Sequence, residues 1–219
     1  SIEAFIKTAS PEAKQRAGIT LAELFFEMAF VHRTLHADPH PGNYLFHDDG
    51  TVSMLDFGCV KRFNEFWIGT YARAVLAAFE GDRATLLQAC RDLGAWTGDD
   101  PEAGDAITNF CETVVAPWQV GLYTLGSDDM LQRVQPHVRR MWSFREIRGP
   151  RDIIFLHRTL GGLYTLARRL DVRYDWGAML RHYLHHAIAV AEGRVDPETH
   201  PGAHHTIASA MASGTPNAA

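Results

Sequence analysis

Asp38, Asn43 and Asp56 are the residues whose types and spacing could do chemistry in this chain. They lie in the stretch HADPHPGNYLFHDDGTVSMLDFG, residues 36–58. A carboxylate and a carboxamide five residues apart on a tight loop can orient or deprotonate a hydroxyl or water while the amide oxygen meets a divalent cation. Asp56 heads an Asp56-Phe57-Gly58 triplet and offers a second hard oxygen ligand of the kind Mg²⁺ prefers. Gly58 lets the backbone turn sharply after the acid, and Pro39, Pro41 and Gly42 stiffen and bend the loop. His36 reads as a structural hydrogen-bonding residue beneath that loop. This chemistry suits metal-bound phosphates held near a general base.

Elements on either side must bring the two acids together. Tyr44–Phe46 and Val52–Leu55 are short apolar runs around Asp49-Gly50, which predicts a β-hairpin with one acid before it and one after it. Upstream, residues 2–17 read as a helix ending at Gly18, and Thr20 with Glu23 fits a capping box for a second. Lys61–Asn64 read as loop. The remainder is helical: 65–80, a helix capped by Asp82 and ended by Gly94, another from Asp100-Pro101 to near Pro117, 128–146 interrupted by Pro136, Pro150 to about Leu170, and Asp175 to about Glu192. Six or more helices with one hairpin make a mainly α fold, not an alternating βα one. Residues 1–195 are expected to form one helical lobe. Residues 196–219, rich in Ala, Ser, Thr, Pro, Gly and His, read as a disordered tail.

Composition narrows the function class. A net charge of −5 without a clustered basic face gives no sign of a nucleic-acid surface. Three separated cysteines (Cys59, Cys90, Cys111) without CxxC pairs point to reduced thiols in a cytosolic compartment rather than a disulfide scaffold. No apolar run approaches the length that spans a bilayer. Five tryptophans, Trp67, Trp96, Trp118, Trp142 and Trp176, read as core or interface residues. The pairs His185-His186 and His204-His205 read as surface residues.

The string His36-Ala37-Asp38…Asn43…Asp56-Phe57-Gly58 resembles the catalytic loop and metal-binding triplet of the protein-kinase-like superfamily. The fuller His36-Ala-Asp-Pro-His-Pro-Gly-Asn43, with Phe155-Leu-His-Arg-Thr-Leu-Gly-Gly-Leu163 further on, resembles the UbiB/AarF-like atypical kinases. That resemblance implies the carboxyl-terminal lobe of a kinase-like fold, with ATP and Mg²⁺ as cofactors. It implies Asp38 as base, Asn43 and Asp56 as Mg²⁺ ligands, and His40 near the transferred phosphate. It also implies ubiquinone or lipid metabolism as the setting, with quinone-biosynthesis proteins or a membrane surface as partners of a peripheral cytoplasmic protein. Ala37 stands where many protein kinases carry an arginine that pairs with a phosphorylated activation loop, and no Ala-Pro-Glu segment follows Gly58. Both departures favour a small molecule, a lipid or water as acceptor.

The Gly-rich loop, strand lysine and Lys-x-Gly-Gln signature that the resemblance calls for do not occur before residue 36. They are expected outside this sequence, so the chain alone should turn over nothing and bind Mg-ATP weakly. Three other readings stay open on sequence grounds. One is a nucleotide-sensing scaffold that transfers no phosphate. Another is a small-molecule phosphotransferase of the aminoglycoside-kinase type. The third is a transition-metal site made by His36, Asp38, His40 and His47.

Overall fold

In the computed structural model, residues 1–127 and 129–202 are described. The first helices are α1 (Ile2–Thr8) and α2 (Pro11–Phe26), separated at Ser10-Pro11. Ser10 caps α2 by accepting from the Ala13 amide at 3.1 Å, and Pro11 occupies the first helical position, where its missing N–H costs nothing. The helix then runs through Gly18 and Thr20, so neither is a boundary. Gly18 is there for space: a Cβ would overlap Val172. A glycine required by packing looks the same in sequence as one that ends a helix.

Past Phe26 the helix widens into one π turn, Glu27–Val31, closed by the His32 amide donating to the Glu27 carbonyl at 2.9 Å. Arg33 follows in the left-handed region at φ 50° and turns the chain into β1 (Thr34–His36). The loop carrying Asp38 leads through a 3₁₀ turn (Pro41–Asn43) into β2 (Tyr44–Phe46), which pairs antiparallel with β3 (Val52–Met54). Tyr44 faces Met54 and Phe46 faces Val52, as the apolar runs predict. Gly50 supplies φ 84° in the turn, and the Asp49 carboxylate accepts from the Thr51 amide and hydroxyl. Of the Lys61–Asn64 stretch expected as loop, Lys61 and Arg62 belong to β4 (Val60–Arg62), paired with β1 so that His36 faces Val60.

The helical remainder matches its cap signals closely. Asn64 accepts from the Trp67 amide and opens α3 (Glu65–Glu80), which ends at Gly81. Asp82, Asp100 and Asp175 cap α4 (Arg83–Asp92), α5 (Pro101–Val115) and α8 (Trp176–Ala191) in the same manner. Between α5 and α8 lie β5 (Tyr123–Thr124), α6 (Met130–Met141), α7 (Arg151–Arg168) and β6 (Arg173–Tyr174), with β5 and β6 paired. Pro136 lies inside α6 without interrupting it. The core gathers α2, α3, α7 and α8 around Phe25, Leu21, Ile68, Leu156, Leu166 and Tyr183. Trp67, Trp96, Trp118 and Trp176 are buried in it, whereas Trp142 is 82% exposed.

Of the 196–219 tail, residues 196–202 are described and fold back on the lobe, with His200 beside Glu27 and the Gly202 carbonyl beside His182. The rest of the tail, His204 and His205 among it, lies outside the described residues.

Buried weak acids make the fold sensitive to alkali. Burial pushes the Cys90 thiol from 9.0 up to about 11. Burial, with Asp38 adding repulsion, pushes the Tyr44 phenol from 10.0 up to about 12. Tyr174 and Tyr183 are raised further, also chiefly by burial. Each group therefore holds its proton more tightly folded than unfolded. Their contribution is fully present below the unfolded values and is lost as pH rises from about 9 through about 12. The urea midpoint is expected to stay level from pH 7 to 9 and to fall steadily above it; a midpoint unchanged at pH 11 would contradict this burial.

Candidate active site

Asp38 and Asn43 meet directly. The Asn43 side-chain amide donates to Asp38 Oδ2 at 2.9 Å and to the Asp38 carbonyl at 3.2 Å. Both side chains are half-buried. The Asn43 backbone amide donates to the His40 carbonyl at 2.9 Å, closing the loop into a short 3₁₀ turn. With its NH₂ on Asp38, the Asn43 carboxamide has its oxygen as the atom suited to a hard cation.

Asp56 reaches the same neighbourhood through two backbone ties. The Leu55 amide donates to the Asn43 carbonyl at 2.8 Å, continuing the hairpin ladder to the residue before Asp56. The second tie is His36, which is 2% exposed. Its Nε2 bonds the Asp56 carbonyl, and its Nδ1 accepts from the Asp38 amide at 3.4 Å. A neutral ring with its proton on Nε2 satisfies both contacts, so one imidazole braces the backbones of both acids. The Phe57 ring stands edge-on to His36 at 5.9 Å.

Asp56 itself is exposed and sits at φ 54°, a left-handed conformation uncommon for a residue with a side chain. Its Oδ1 accepts from the Gly58 amide at 2.9 Å, which fixes the carboxylate. Gly58 has negative φ, so its use is close approach: a Cβ would stand 3.0 Å from Asp56 Oδ1.

The transition-metal reading is not supported by placement: among the described residues His36, Asp38, His40 and His47 do not bring three ligand atoms within 4.8 Å of one another. His36 uses both ring nitrogens on the backbone, His40 Nδ1 caps the Gly42 amide at 3.1 Å, and His47 Nε2 bonds the Ser53 hydroxyl at 2.9 Å. Among the described residues, the metal-competent histidine cluster lies elsewhere.

The family model of the ABC1 atypical kinase-like domain matches residues 6–90, a span holding every side chain named so far in this site. Over that segment the chain is similar to the ABC1 atypical kinase-like domain. Similarity to individual members extends further. "Atypical kinase coq-8, mitochondrial" of Caenorhabditis elegans is 23% identical over 184 residues, covering 80% of this chain and 24% of the relative. "Atypical kinase COQ8B, mitochondrial" of Rattus norvegicus is 28% identical over 164 residues, covering 74% and 31%. The chain thus spans about a quarter to a third of these relatives' length. Among solved structures, that of Rv3197 with erythromycin from Mycobacterium tuberculosis superposes with TM-score 0.60 at 20% identity, over 86% of this chain and 47% of that one. The fold is the carboxyl-terminal lobe of a protein-kinase-like architecture.

The ABC1-type loop is also clamped from α7, outside the 6–90 segment. Arg158 donates to the Ala37 carbonyl, and the Ala37 amide donates to the Cys59 carbonyl at 2.9 Å. Gly162, one turn after Arg158, lies against Pro39 so closely that a Cβ would overlap its ring. Lys61 pairs with Asp152 at 2.6 Å, tying β4 to the first turn of the same helix. From sequence alone, Arg158 with Gly161-Gly162 reads as close helix packing, with a lipid or phosphate contact as the other reading. The signal was present as Arg158-Thr-Leu-Gly-Gly162, but nothing in spacing says that the surface packed against is the loop bearing Asp38. Where kinases of the usual pattern carry an arginine beside the aspartate, this chain has a fully buried alanine and brings a guanidinium in from α7.

Proposed function

We propose that this ABC1-type lobe forms the metal-binding wall of a Mg-ATP-dependent atypical kinase or ATPase acting in ubiquinone or lipid metabolism. The observation that carries the proposal is the hydrogen-bonded unit of Asp38, Asn43, His36 and Asp56, in which three oxygen-bearing side chains are fixed at one end of the hairpin. The donor set is all hard oxygen, which fits Mg²⁺ and excludes a thiolate or imidazole cage. Asn43 and Asp56 would hold the cation, which supplies charge neutralisation on the phosphates when bound.

Asp38 accepts the proton of the attacking hydroxyl or water while Asn43 holds its Oδ2 in place, so its other oxygen faces the acceptor. His40, exposed and with Nδ1 engaged by the Gly42 amide, offers Nε2 toward a phosphate. The wall across the nucleotide would be contributed by sequence outside this lobe. Among the described residues no helix is long and apolar enough to cross a membrane, which fits peripheral association with a membrane surface.

The test is phosphate release from ATP by the intact polypeptide that carries this lobe. Release is expected to require Mg²⁺ and to be lost in an Asp38→Asn/Asp56→Asn double variant. Equal rates with and without Mg²⁺, or in the double variant, would refute the proposal.

A further inference from the structure

A second set of metal-competent side chains lies at the other end of the segment that leads into the catalytic loop. Glu27, His32 and His200 place one ligand atom each within 4.8 Å of one another. His200 Nε2 stands 3.5 Å from Glu27 Oε1, and the His32 and His200 rings are 6.3 Å apart between centroids. A tetrahedral zinc ion with bonds of about 2.0–2.2 Å sets its ligands roughly 3.4 Å apart, so the Glu27–His200 pair is already at that spacing. His32 is exposed, and its ligand atom already lies within 4.8 Å of those of Glu27 and His200.

The backbone explains the grouping. Glu27 and His32 are five residues apart, a separation that places two side chains on different faces of an α-helix. The π turn widens the helix at this point and stacks residue i+5 over residue i. The buried Tyr183 hydroxyl donates to Glu27 Oε1 at 3.3 Å, the kind of outer partner that orients a ligating carboxylate. His200 arrives from the far end of the chain, where its neighbour segment is held by the Gly202 carbonyl on His182 at 3.1 Å. His186 lies beside the cluster, 8% exposed and with Nε2 lacking a hydrogen-bond partner.

We infer that Glu27, His32 and His200 form a binding site for a borderline transition cation of the Zn²⁺ class, separate from the Asp38–Asn43–Asp56 site. The bound cation fastens the 196–202 segment onto the π turn, which ends five residues before His36. Ligation is balanced in protons. His200 now accepts from the Gly202 amide through Nδ1 at 3.0 Å and so carries its proton on Nε2. Ligation through Nε2 moves that proton to Nδ1, and the exposed Gly202 amide passes to water. Two imidazoles and one carboxylate leave the fourth position to water, and they select Zn²⁺ or Co²⁺ over Mg²⁺.

The experiment titrates Co²⁺ and Zn²⁺ into the 219-residue chain purified without a histidine tag, in excess Mg²⁺. One equivalent of Zn²⁺ is expected to bind and to displace a Co²⁺ absorption spectrum of four- or five-coordinate nitrogen–oxygen type. His32→Ala and His200→Ala, both at exposed positions, are each expected to weaken binding by about 100-fold or more, beyond the loss of an outer partner. Circular dichroism of these variants should match the parent. A His204→Ala/His205→Ala variant should bind as the parent does. Binding that survives both single substitutions, that is lost only with Asp56→Asn or with His204 and His205, or that never exceeds weak multiple-site uptake, would overturn the assignment.

Discussion

Asp38→Asn in the intact polypeptide is expected to lower Mg-dependent ATP turnover by about 10²–10⁴-fold, the range over which positioned acid–base groups act. The amide keeps the side chain's size, and Asn43 can still bond its oxygen. His36 holds the residue through its backbone amide, which the substitution leaves in place. Mg-nucleotide affinity should therefore change by only a few-fold while turnover falls. This split is what separates a base from a metal ligand. A parallel loss of affinity and rate would assign Asp38 to the cation, and unchanged turnover would remove it from the chemistry altogether.

The second large effect is remote from the reacting atoms. Gly161 and Gly162 are neighbours in α7, yet alanine is expected to act on them with opposite sign. At Gly161 an added Cβ meets nothing within 4 Å, so Gly161→Ala should stabilise the fold by about 0.5–1 kcal/mol through helix propensity alone. At Gly162 the same atom overlaps the Pro39 ring, and neither a ring fixed by its own backbone nor the loop that carries it can yield cheaply. Gly162→Ala should cost about 1–3 kcal/mol of stability. It should also displace the loop bearing Asp38, and a misplacement near 1 Å lowers turnover by roughly 10²-fold. Urea denaturation and turnover measured on the two variants together check this. Equal behaviour at both positions would mean that α7 does not position the loop.

Much of the fold is legible in the sequence where the signal is local. Asp82, Asp100 and Asp175 each cap the helix expected of them, because a cap needs only its own side chain and an amide two or three residues on. The hairpin is equally local, set by Asp49-Gly50 and two apolar runs. What escaped depends on distant partners. Gly18 looked like a stop because Val172, which needs its space, is far away in sequence. Lys61 and Arg62 look like loop because a three-residue strand is defined by its partner, Thr34–His36.

The site divides along the same line. Asp38, Asn43 and Asp56 stand out by type and spacing, and the role of His36 follows from its place beneath the loop. Arg158 and Gly162 do not stand out, since their significance lies in touching Ala37 and Pro39 across the fold. Neither does the Glu27–His32–His200 cluster. It requires a π turn, which leaves no periodic trace in the sequence, and a segment expected to be disordered.

The most direct test of the central claim is nucleotide-dependent divalent-cation binding at Asp56. Mn²⁺ can replace Mg²⁺ in an oxygen-ligand site and be followed by its paramagnetic resonance spectrum. The intact polypeptide is expected to bind Mn²⁺ tightly only when ATP is present. Asp56→Asn, which keeps the Gly58 contact and removes the charge, is expected to abolish that ATP-dependent signal. Undiminished ATP-dependent Mn²⁺ binding in Asp56→Asn would contradict the assignment of this loop and hairpin as the metal-binding wall of a nucleotide site.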